Sequence, residues 1–257
     1  MATLRIISYN VNGIRSALNK GFLDWLKTDP AEVICLQETK AVKENIDHQQ
    51  ISDLGYEQYW YSAQKKGYSG VAVFTKVKPD NVYYGNGHTV SDDEGRLIQL
   101  DFGGIRLINA YFPSGTSGDL RQAFKYEWLD EFYLYLEELK KTRPNIILCG
   151  DYNIAHEEID IHDPKGNKKS SGFLPSERAW MDKFLSTGFV DSFRHFNKDP
   201  HHYSWSQRFP TVRAQNKGWR IDYINVSEPL KSSLVAASIL PDVKHSDHCP
   251  VFLSLNY

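Results

Sequence analysis

The chain has 257 residues, of which 41% are hydrophobic and 13% aromatic, so the composition excludes a disordered chain and allows a sizeable core. The net charge of −2 excludes a protein that is basic overall, and nucleic-acid binding would require positive charge gathered on one face. Three cysteines exclude a disulfide framework in a chain of this length and predict reduced thiols in or beside buried strands.

Short apolar runs recur along the chain, separated by polar or turn-forming residues. Runs of this length, rich in β-branched and aromatic side chains, predict buried strands. These strands are expected at residues 4–10, 32–38, 70–76, 96–102, 105–112, 145–151, 220–226 and 250–256.

Two segments between these strands have helical periodicity. In residues 119–142 apolar side chains recur at spacings of three and four, and Asp119 is the expected N-cap. Residues 175–188 form a second amphipathic pattern, which stops at Gly188. Because some neighbouring strands are joined by short turns, this mix predicts an α/β fold of two mostly antiparallel sheets with helices outside, in a single domain spanning residues 1–257.

Most of these strands lead directly into a polar residue that can bind a cation or titrate. Each such residue alone is more typical of a turn, since Asn and Asp are common after strands. Their coincidence at so many strand ends indicates one cleft lined by carboxylates, amides, an imidazole and a phenol. Oxygen ligands of this kind suit Mg²⁺ or Mn²⁺ and predict metal-assisted phosphodiester hydrolysis. The residues concerned are Asn10, Asn12, Glu38, Tyr111, Asp151, Asn153, Asp222, Asp247 and His248.

Motifs in order along almost the whole chain, from about Leu4 to Leu255, resemble the exonuclease III family of abasic-site endonucleases. They include SYNVNGIRSAL, CLQETK, NAYFPSG, GDYNIAHEEID, GFLPSER, GWRIDY and HSDHCP. The resemblance implies a four-layer α/β sandwich and Mg²⁺-dependent cleavage of DNA on the 5′ side of an abasic site, leaving a 3′-hydroxyl and a 5′-deoxyribose phosphate. It also implies trimming of 3′-blocking groups and 3′→5′ exonuclease activity, with Mn²⁺ as a substitute cation.

The resemblance further implies a role for each residue of the cleft. Asp151 matches the residue that aligns or deprotonates the attacking water, and Asn153 matches a companion that stabilises the transition state. Tyr111 and His248 match phosphate-contacting groups, and Asp222 supports His248. The metal cluster is expected to comprise Glu38 at its centre with Asn10, Asn12, Asp151, Asn153, Asp247 and His248.

Basic and aromatic residues gather in loops next to these motifs. The segment 206–220 contains four basic side chains and no acidic one, for which a solvated surface is the ordinary interpretation. With the resemblance, such loops are expected to grip the phosphates of duplex DNA that carries abasic sites or 3′-blocked ends, around a small apolar pocket for the extruded sugar. The expected DNA-binding residues are Arg15, Lys66, Tyr68, Asn167, Lys168, Trp205, Arg208, Trp219, Arg220 and Ile221.

Two other functions fit parts of this pattern. A phosphoesterase of the wider superfamily, acting on inositol phosphates, sphingomyelin or RNA, is not expected to carry GFLPSER or GWRIDY. It would share Glu38, Asp151, Asn153, Asp247 and His248. A non-catalytic nucleic-acid-binding module could lose any catalytic group, yet each expected group is present. The number of metal ions, and whether Asp151 or His248 takes the proton of the water, stay open.

The segment KHSDHCPV, residues 244–251, brings two histidines and a cysteine together as a soft-metal site would. Because the other groups of the cleft are hard oxygens, we expect no zinc site here. Cys249 is expected to pack at the start of the last strand, and His245 to face solvent in a turn.

The start of the chain, MATLRIISYN, lacks a basic segment followed by an apolar stretch, and no run approaches about 18 apolar residues. We therefore expect no signal peptide, no membrane contact and a cytoplasmic monomer, associated with the nucleoid if the source is prokaryotic.

Overall fold

Two six-stranded sheets form the framework of the molecule. This computed structural model describes residues 2–206 and 210–257. The strands found there are β1 (Thr3–Asn10), β2 (Val33–Gln37), β3 (Glu57–Tyr61), β4 (Val71–Thr75), β5 (Asn81–Tyr84), β6 (Leu97–Phe102), β7 (Ile105–Tyr111), β8 (Ile146–Asp151), β9 (Phe189–Asp191), β10 (Asp222–Ser227), β11 (Leu234–Ile239) and β12 (Val251–Asn256). The α-helices are α1 (Ile14–Asn19), α2 (Phe22–Leu26), α3 (Gln49–Ser52), α4 (Thr89–Asp93), α5 (Asp119–Thr142), α6 (Pro175–Ser186), α7 (Ser192–Phe196) and α8 (Pro210–Ala214).

The strand order is β11-β12-β1-β2-β4-β3 in the first sheet and β5-β6-β7-β8-β10-β9 in the second. The central pairs β1–β2 and β7–β8 are parallel. All other neighbouring strands in the two sheets pair antiparallel. The prediction of two mostly antiparallel sheets is therefore confirmed.

The sheets pack face to face because their central strands bury side chains on both faces. In β1, Leu4 and Ile6 contribute to the core between the sheets, whereas Ile7 and Tyr9 pack under the helices outside. Helices α1, α2 and α3 cover the first sheet, and α5 and α6 cover the second. The order of helices, sheet, sheet and helices confirms the predicted four-layer sandwich.

Helix α5 covers the residue range that its periodicity predicts, although Gly118 and not Asp119 occupies the N-cap. Its apolar residues pack on the second sheet, where full burial of a side chain such as Phe132 contributes about 1.5–3 kcal/mol. Lys125 lies among these buried residues with no exposed surface. The predicted stop of the second helix is also found, since α6 ends two residues before Gly188, whose φ of 92° suits glycine.

A small polar network joins the two sheets within their shared core. The Gln37 Nε2 atom donates hydrogen bonds to Ser8 Oγ at 2.9 Å and, across the gap between the sheets, to Asn109 Oδ1 at 2.7 Å. The Asn109 Nδ2 atom donates back to the carbonyls of Leu36 and Ala72, each at 3.0 Å. Because buried hydrogen bonds have fixed partners, this network sets the position of one sheet relative to the other.

The sequence does not predict β3, β5, β9 and β11, which are the four edge strands of the two sheets. The cysteines are free and buried, as expected. Within the described ranges, no helix combines the length and the apolar character needed to cross a membrane.

Candidate active site

Five strand ends meet at one end of the sandwich. The parallel strands β1 and β2 end side by side, as do β7 and β8, where Tyr111 lies opposite Asp151. Strand β10 runs antiparallel to β8 and begins at Asp222, again opposite Asp151. The loop before β12 adds Asp247 and His248 to the same end. The predicted convergence of polar strand ends is thus what the topology produces.

These residues surround a cleft of about 520 Å³. Asn10 lies buried at its floor, and Asp222 lies behind His248. The loop Ser170–Gly172 completes one wall, and Thr116 also reaches the cleft. The other expected residues that line the cleft are Asn12, Glu38, Tyr111, Asp151, Asn153, Asn167, Trp205, Trp219, Ile221, Asp247 and His248.

Carboxylates and amides form a connected cluster at the floor of the cleft. The Asn10 Nδ2 atom donates to Glu38 Oε1 at 3.0 Å and to Asp151 Oδ2 at 2.9 Å. The Asn12 Nδ2 atom donates to Asp247 Oδ1 at 2.8 Å. Ligand atoms of Glu38, Asp151 and a third residue, His248, all lie within 4.8 Å of one another, a spacing that suits a single cation.

Lys40 is a member of this cluster that the sequence does not single out. Its Nζ atom lies 2.7 Å from Glu38 Oε2 and donates to Asn12 Oδ1 at 2.6 Å. An ammonium group between these oxygens indicates that they are arranged around positive charge, and hard oxygens suit Mg²⁺ or Mn²⁺. The available signal was its place in CLQETK, two residues after the carboxylate.

Several residues of the cluster have left-handed backbone conformations, which residues other than glycine rarely adopt. The φ angles are 44° at Asn12, 51° at Glu38 and 52° at Asn153. Such conformations cost about 1–3 kcal/mol each and persist where surrounding bonds hold them. At Asn153 the backbone N–H donates to Asp151 Oδ1 at 2.8 Å, and Nδ2 donates to the Phe112 carbonyl at 3.0 Å. The strained backbone therefore lies directly after the strands, where it turns these side chains towards the cluster.

His248 is buried and paired with a buried carboxylate. Its Nδ1 atom lies 2.9 Å from Asp222 Oδ2, and the Ser204 hydroxyl donates to the same oxygen at 2.6 Å. Burial lowers the pKa of His248, but Asp222, Asp151 and Asp247 outweigh it and raise the pKa to about 10. The ring is therefore protonated at neutral pH, with one N–H held by Asp222 and the other available to the cleft.

The pKa values of the two acidic groups at the floor of the cleft are shifted in opposite directions. Burial and the Asp222 carboxylate raise the pKa of Asp151 to about 7, although His248 opposes them. Burial also acts to raise the pKa of Glu38, but Lys40 and the Asn10 amide hold it below the ordinary value. At neutral pH Glu38 is thus a fixed anion, whereas Asp151 can exchange a proton.

Tyr111 lies at the rim with an arginine beside its ring. Desolvation and the Glu38 carboxylate hold its pKa well above the ordinary value, so the phenol stays protonated. The Arg96 guanidinium lies 4.8 Å from the ring centre and donates to the Tyr111 carbonyl at 2.9 Å. The Tyr68 hydroxyl accepts from Arg96 at 3.3 Å and from Arg121 at 3.0 Å. Tyr68, expected to bind DNA, is thus also part of the support of Tyr111.

The remaining expected DNA-binding residues are distributed around the cleft. Trp205 and Trp219 pack edge to face at 6.0 Å between ring centres and, with Ile221, form an apolar wall. Asn167 is held by hydrogen bonds to its own loop. The side chains of Arg15, Lys66 and Lys168 are exposed outside the cleft, and Arg208 lies outside the described residues.

The expectation that Arg220 contacts DNA is wrong, because its side chain is 1% exposed. It pairs with Asp160 at 2.7 Å and with Asp191 at 2.8 Å, so its charge is neutralised inside the protein. Arg213 of the same basic segment also has a structural role. It donates to the carbonyls of Pro241 and Val243 at 2.9 and 3.0 Å, which fastens the loop before β12.

The segment KHSDHCPV separates into different roles. His245 was expected to face solvent in a turn. Instead its ring packs among Tyr9, Phe22 and Trp25, at 5.9–6.3 Å between ring centres. Cys249 is buried, and burial raises the pKa of its thiol to about 11. Neither metal-like cluster found among the described residues includes Cys249.

Comparison with known proteins extends over nearly the whole chain. Residues 7–248 match the Endonuclease/Exonuclease/phosphatase family. The chain is 45% identical over 255 residues to an exodeoxyribonuclease of Bacillus subtilis, covering 98% of this chain and 100% of that protein. It is 43% identical over 253 residues to a DNA-(apurinic or apyrimidinic site) endonuclease of Dictyostelium discoideum, covering 96% of this chain and 69% of that protein. An AP endonuclease structure from Archaeoglobus fulgidus superposes with a TM-score of 0.89 at 31% identity, covering 99% of this chain and 100% of the other.

Proposed function

Because the chain belongs to the Endonuclease/Exonuclease/phosphatase family and is a DNA-repair nuclease, we propose that it cleaves DNA on the 5′ side of abasic sites with Mg²⁺. The products are a 3′-hydroxyl and a 5′-deoxyribose phosphate, and the same centre removes 3′-blocking groups and acts as a 3′→5′ exonuclease. The observation that carries this proposal is the cleft in which Glu38, Asp151 and a protonated His248 converge beside the wall of Trp205 and Trp219.

The cation is assigned to Glu38, with Asn10, Asn12 and Asp247 around it. When bound, Mg²⁺ supplies Lewis-acid stabilisation of charge on the phosphate oxygens, and Mn²⁺ can substitute. His248 was also expected among the metal ligands, and a ring nitrogen lies within 4.8 Å of ligand atoms of Glu38 and Asp151, but in the metal-free protein the ring carries a proton that a ligating imidazole must first lose. Of its two expected roles, the proposal keeps the contact with phosphate.

Asp151 is assigned as the base. Its raised pKa of about 7 suits a carboxylate that accepts a proton from water near neutral pH. His248 already carries its proton and therefore donates a hydrogen bond to a phosphate oxygen. The protonated phenol of Tyr111 donates to the same group as charge develops. The same cleft contains Asn153, whose Nδ2 atom donates to the Phe112 carbonyl and to Asp151. The new bond forms between the water oxygen and phosphorus, the P–O3′ bond breaks, and the released O3′ takes a proton from solvent to become the 3′-hydroxyl.

Duplex DNA is the proposed partner, bound by the protein as a single-domain monomer. The exposed cations Arg15, Lys66 and Lys168 are assigned to phosphates, which fits a chain whose total charge is not basic. The apolar wall formed by Trp205, Trp219 and Ile221 is assigned to the extruded sugar. Extrusion costs least where no base is stacked, so such a wall favours abasic sites.

One assay tests the proposal. Purified protein with Mg²⁺ is given duplexes that carry an abasic site, a uracil, a 3′-phosphate or no lesion. We expect incision at the abasic site to be fastest. The variants Asp151→Asn and His248→Asn should lose incision while they still bind the abasic duplex. Turnover like that of the wild type in either variant would remove the assigned chemistry, and absence of abasic incision by the wild type would refute the substrate.

A further inference from the structure

A buried ion pair joins helices α5 and α6 behind the cleft. Lys125 of α5 and Glu177 of α6 have fully buried side chains, and the Lys125 Nζ atom lies 2.5 Å from Glu177 Oε1. Taking two charges out of water is costly, and replacing such a pair by apolar side chains is often neutral or stabilising. Stability of the fold alone therefore gives a weak reason for this pair, and the groups that it contacts indicate another.

The lysine reaches the cleft through the backbone of Asn153. Its Nζ atom donates to the Asn153 carbonyl at 2.8 Å. This carbonyl belongs to a residue with a φ of 52°, whose N–H and side chain are bonded to Asp151 and to the Phe112 carbonyl. The backbone N–H and the side chain of this strained residue thus have partners within the cleft region, and Lys125 supplies a hydrogen-bond donor to its carbonyl.

The glutamate fastens the loop that forms the adjacent wall. Its Oε2 atom accepts from the backbone N–H groups of Gly172 at 2.6 Å and Leu174 at 3.0 Å. The Gly172 carbonyl in turn accepts from the N–H of Ala155, two residues after Asn153, at 2.7 Å. A Cβ atom at Gly172 would lie 3.0 Å from the Asn153 carbonyl oxygen, so the two segments are in close contact.

We propose that Lys125 and Glu177 are positioning residues for the nuclease reaction, which hold Asn153 in the conformation that keeps its backbone N–H and its amide on the Asp151 carboxylate. This role rests on the function proposed above. The proposal also explains the motif GFLPSER, which contains Glu177. The next residue of the motif, Arg178, donates from its Nε atom to the His156 carbonyl at 2.7 Å. Two consecutive residues of this motif thus fasten the segment 153–156 from outside the cleft.

The test compares Lys125→Met with the double variant Lys125→Met/Glu177→Gln. The single variant removes the bond to Asn153. The double variant does the same without leaving an unpaired buried carboxylate, so it tests the role where the single variant fails to fold. In both we expect kcat to fall by about 10- to 100-fold, the size of effect that misplacing a catalytic group produces, with KM little changed. A group that acts only on stability would leave kcat unchanged.

A second buried ion pair provides a matched control. Arg106 and Asp101 pair near the opposite end of β7 from Tyr111, and neither belongs to the cleft lining. In Arg106→Met we expect a lower Tm with kcat like that of the wild type. If the double Lys125 and Glu177 variant behaves in the same way, with an altered Tm and unchanged kcat, the positioning role is refuted.

The substrate for this comparison is the duplex that the wild type cleaves. A wild type that degrades undamaged 3′ ends but does not incise abasic sites would refute the proposed substrate, and the variants are then compared on the exonuclease reaction. A fall in kcat there still supports positioning, and an unchanged kcat still overturns it.

Discussion

Replacing Asp222 by Asn removes the carboxylate that keeps His248 protonated. In the wild type burial lowers the pKa of His248, yet the surrounding carboxylates raise it to about 10 from an ordinary value of 6.5, a difference of about 5 kcal/mol in favour of the imidazolium. Asp222 makes the largest of these favourable contributions and bonds directly to the ring. In Asp222→Asn, where burial still disfavours the charged ring, we expect the pKa to return to the ordinary value or below it.

Loss of this proton has a chemical consequence. At neutral pH the Asp222→Asn ring is neutral and its tautomer is no longer fixed, so the hydrogen bond assigned to the phosphate is lost or weakened. We expect kcat to fall by about 100-fold or more, as when one preorganised donor is removed. The variant Ser204→Ala is the matched control, because it removes a hydrogen bond to Asp222 and leaves the carboxylate in place.

The titration of His248 is measured by NMR of its ring nitrogens in the metal-free protein. A midpoint that stays near 10 in Asp222→Asn would refute the reasoning, whereas Ser204→Ala should keep a raised midpoint. Stability gives an independent measurement. Because the pKa of His248 is raised on folding, its stabilising effect is complete below pH 6.5 and is lost as pH rises through about 10. Asp222→Asn should lack this contribution to the pH dependence.

Three further outcomes are expected. Since the pKa of Asp151 is raised to about 7, its carboxylate destabilises the metal-free fold above that pH, so Asp151→Asn should raise Tm at pH 8 and lose this advantage towards pH 4. Arg220→Met removes the buried guanidinium that pairs with Asp160 and Asp191, so that Asp160 keeps only the pair with Arg194, and should cost about 3–5 kcal/mol by denaturant unfolding, with salt-dependent DNA affinity unchanged at temperatures where it is folded. EDTA should abolish incision and added Mg²⁺ restore it, whereas full activity in chelator would contradict the role of Glu38.

The fold could be predicted where strands are buried on both faces. Residues 33–36 and 146–149 are continuous apolar runs because each lies in a strand in the middle of a sheet, covered by the other sheet and by helices. Edge strands have a partner on one side and more exposed side chains, so their sequences lack this signal. EQYWY, residues 57–61, is largely polar or aromatic, and FVD, residues 189–191, is too short to be distinguished from a turn.

The candidate site could be predicted to the extent that its groups come directly after apolar runs. The contacts that hold those groups could not, because they join residues distant in the chain. Lys125 and Glu177 are 52 residues apart, and in the sequence the lysine is an ordinary polar interruption of an amphipathic helix. Arg220 was misassigned for the same reason. Its neighbours in the chain are basic and aromatic, whereas its carboxylate partner Asp160 is 60 residues away.

The hydrogen bond between Gln37 and Asn109 has a further consequence for how activity responds to heating. The candidate reaction centre is assembled from both sheets, since Asn10 of the first bonds Asp151 of the second, and His248 bonds Asp222 across the same gap. If one sheet slid over the other by less than an ångström, these partners would separate, although the backbone hydrogen bonds within each sheet would remain. Catalysis is therefore sensitive to the position of one sheet relative to the other, and inactivation on warming should precede the loss of secondary structure.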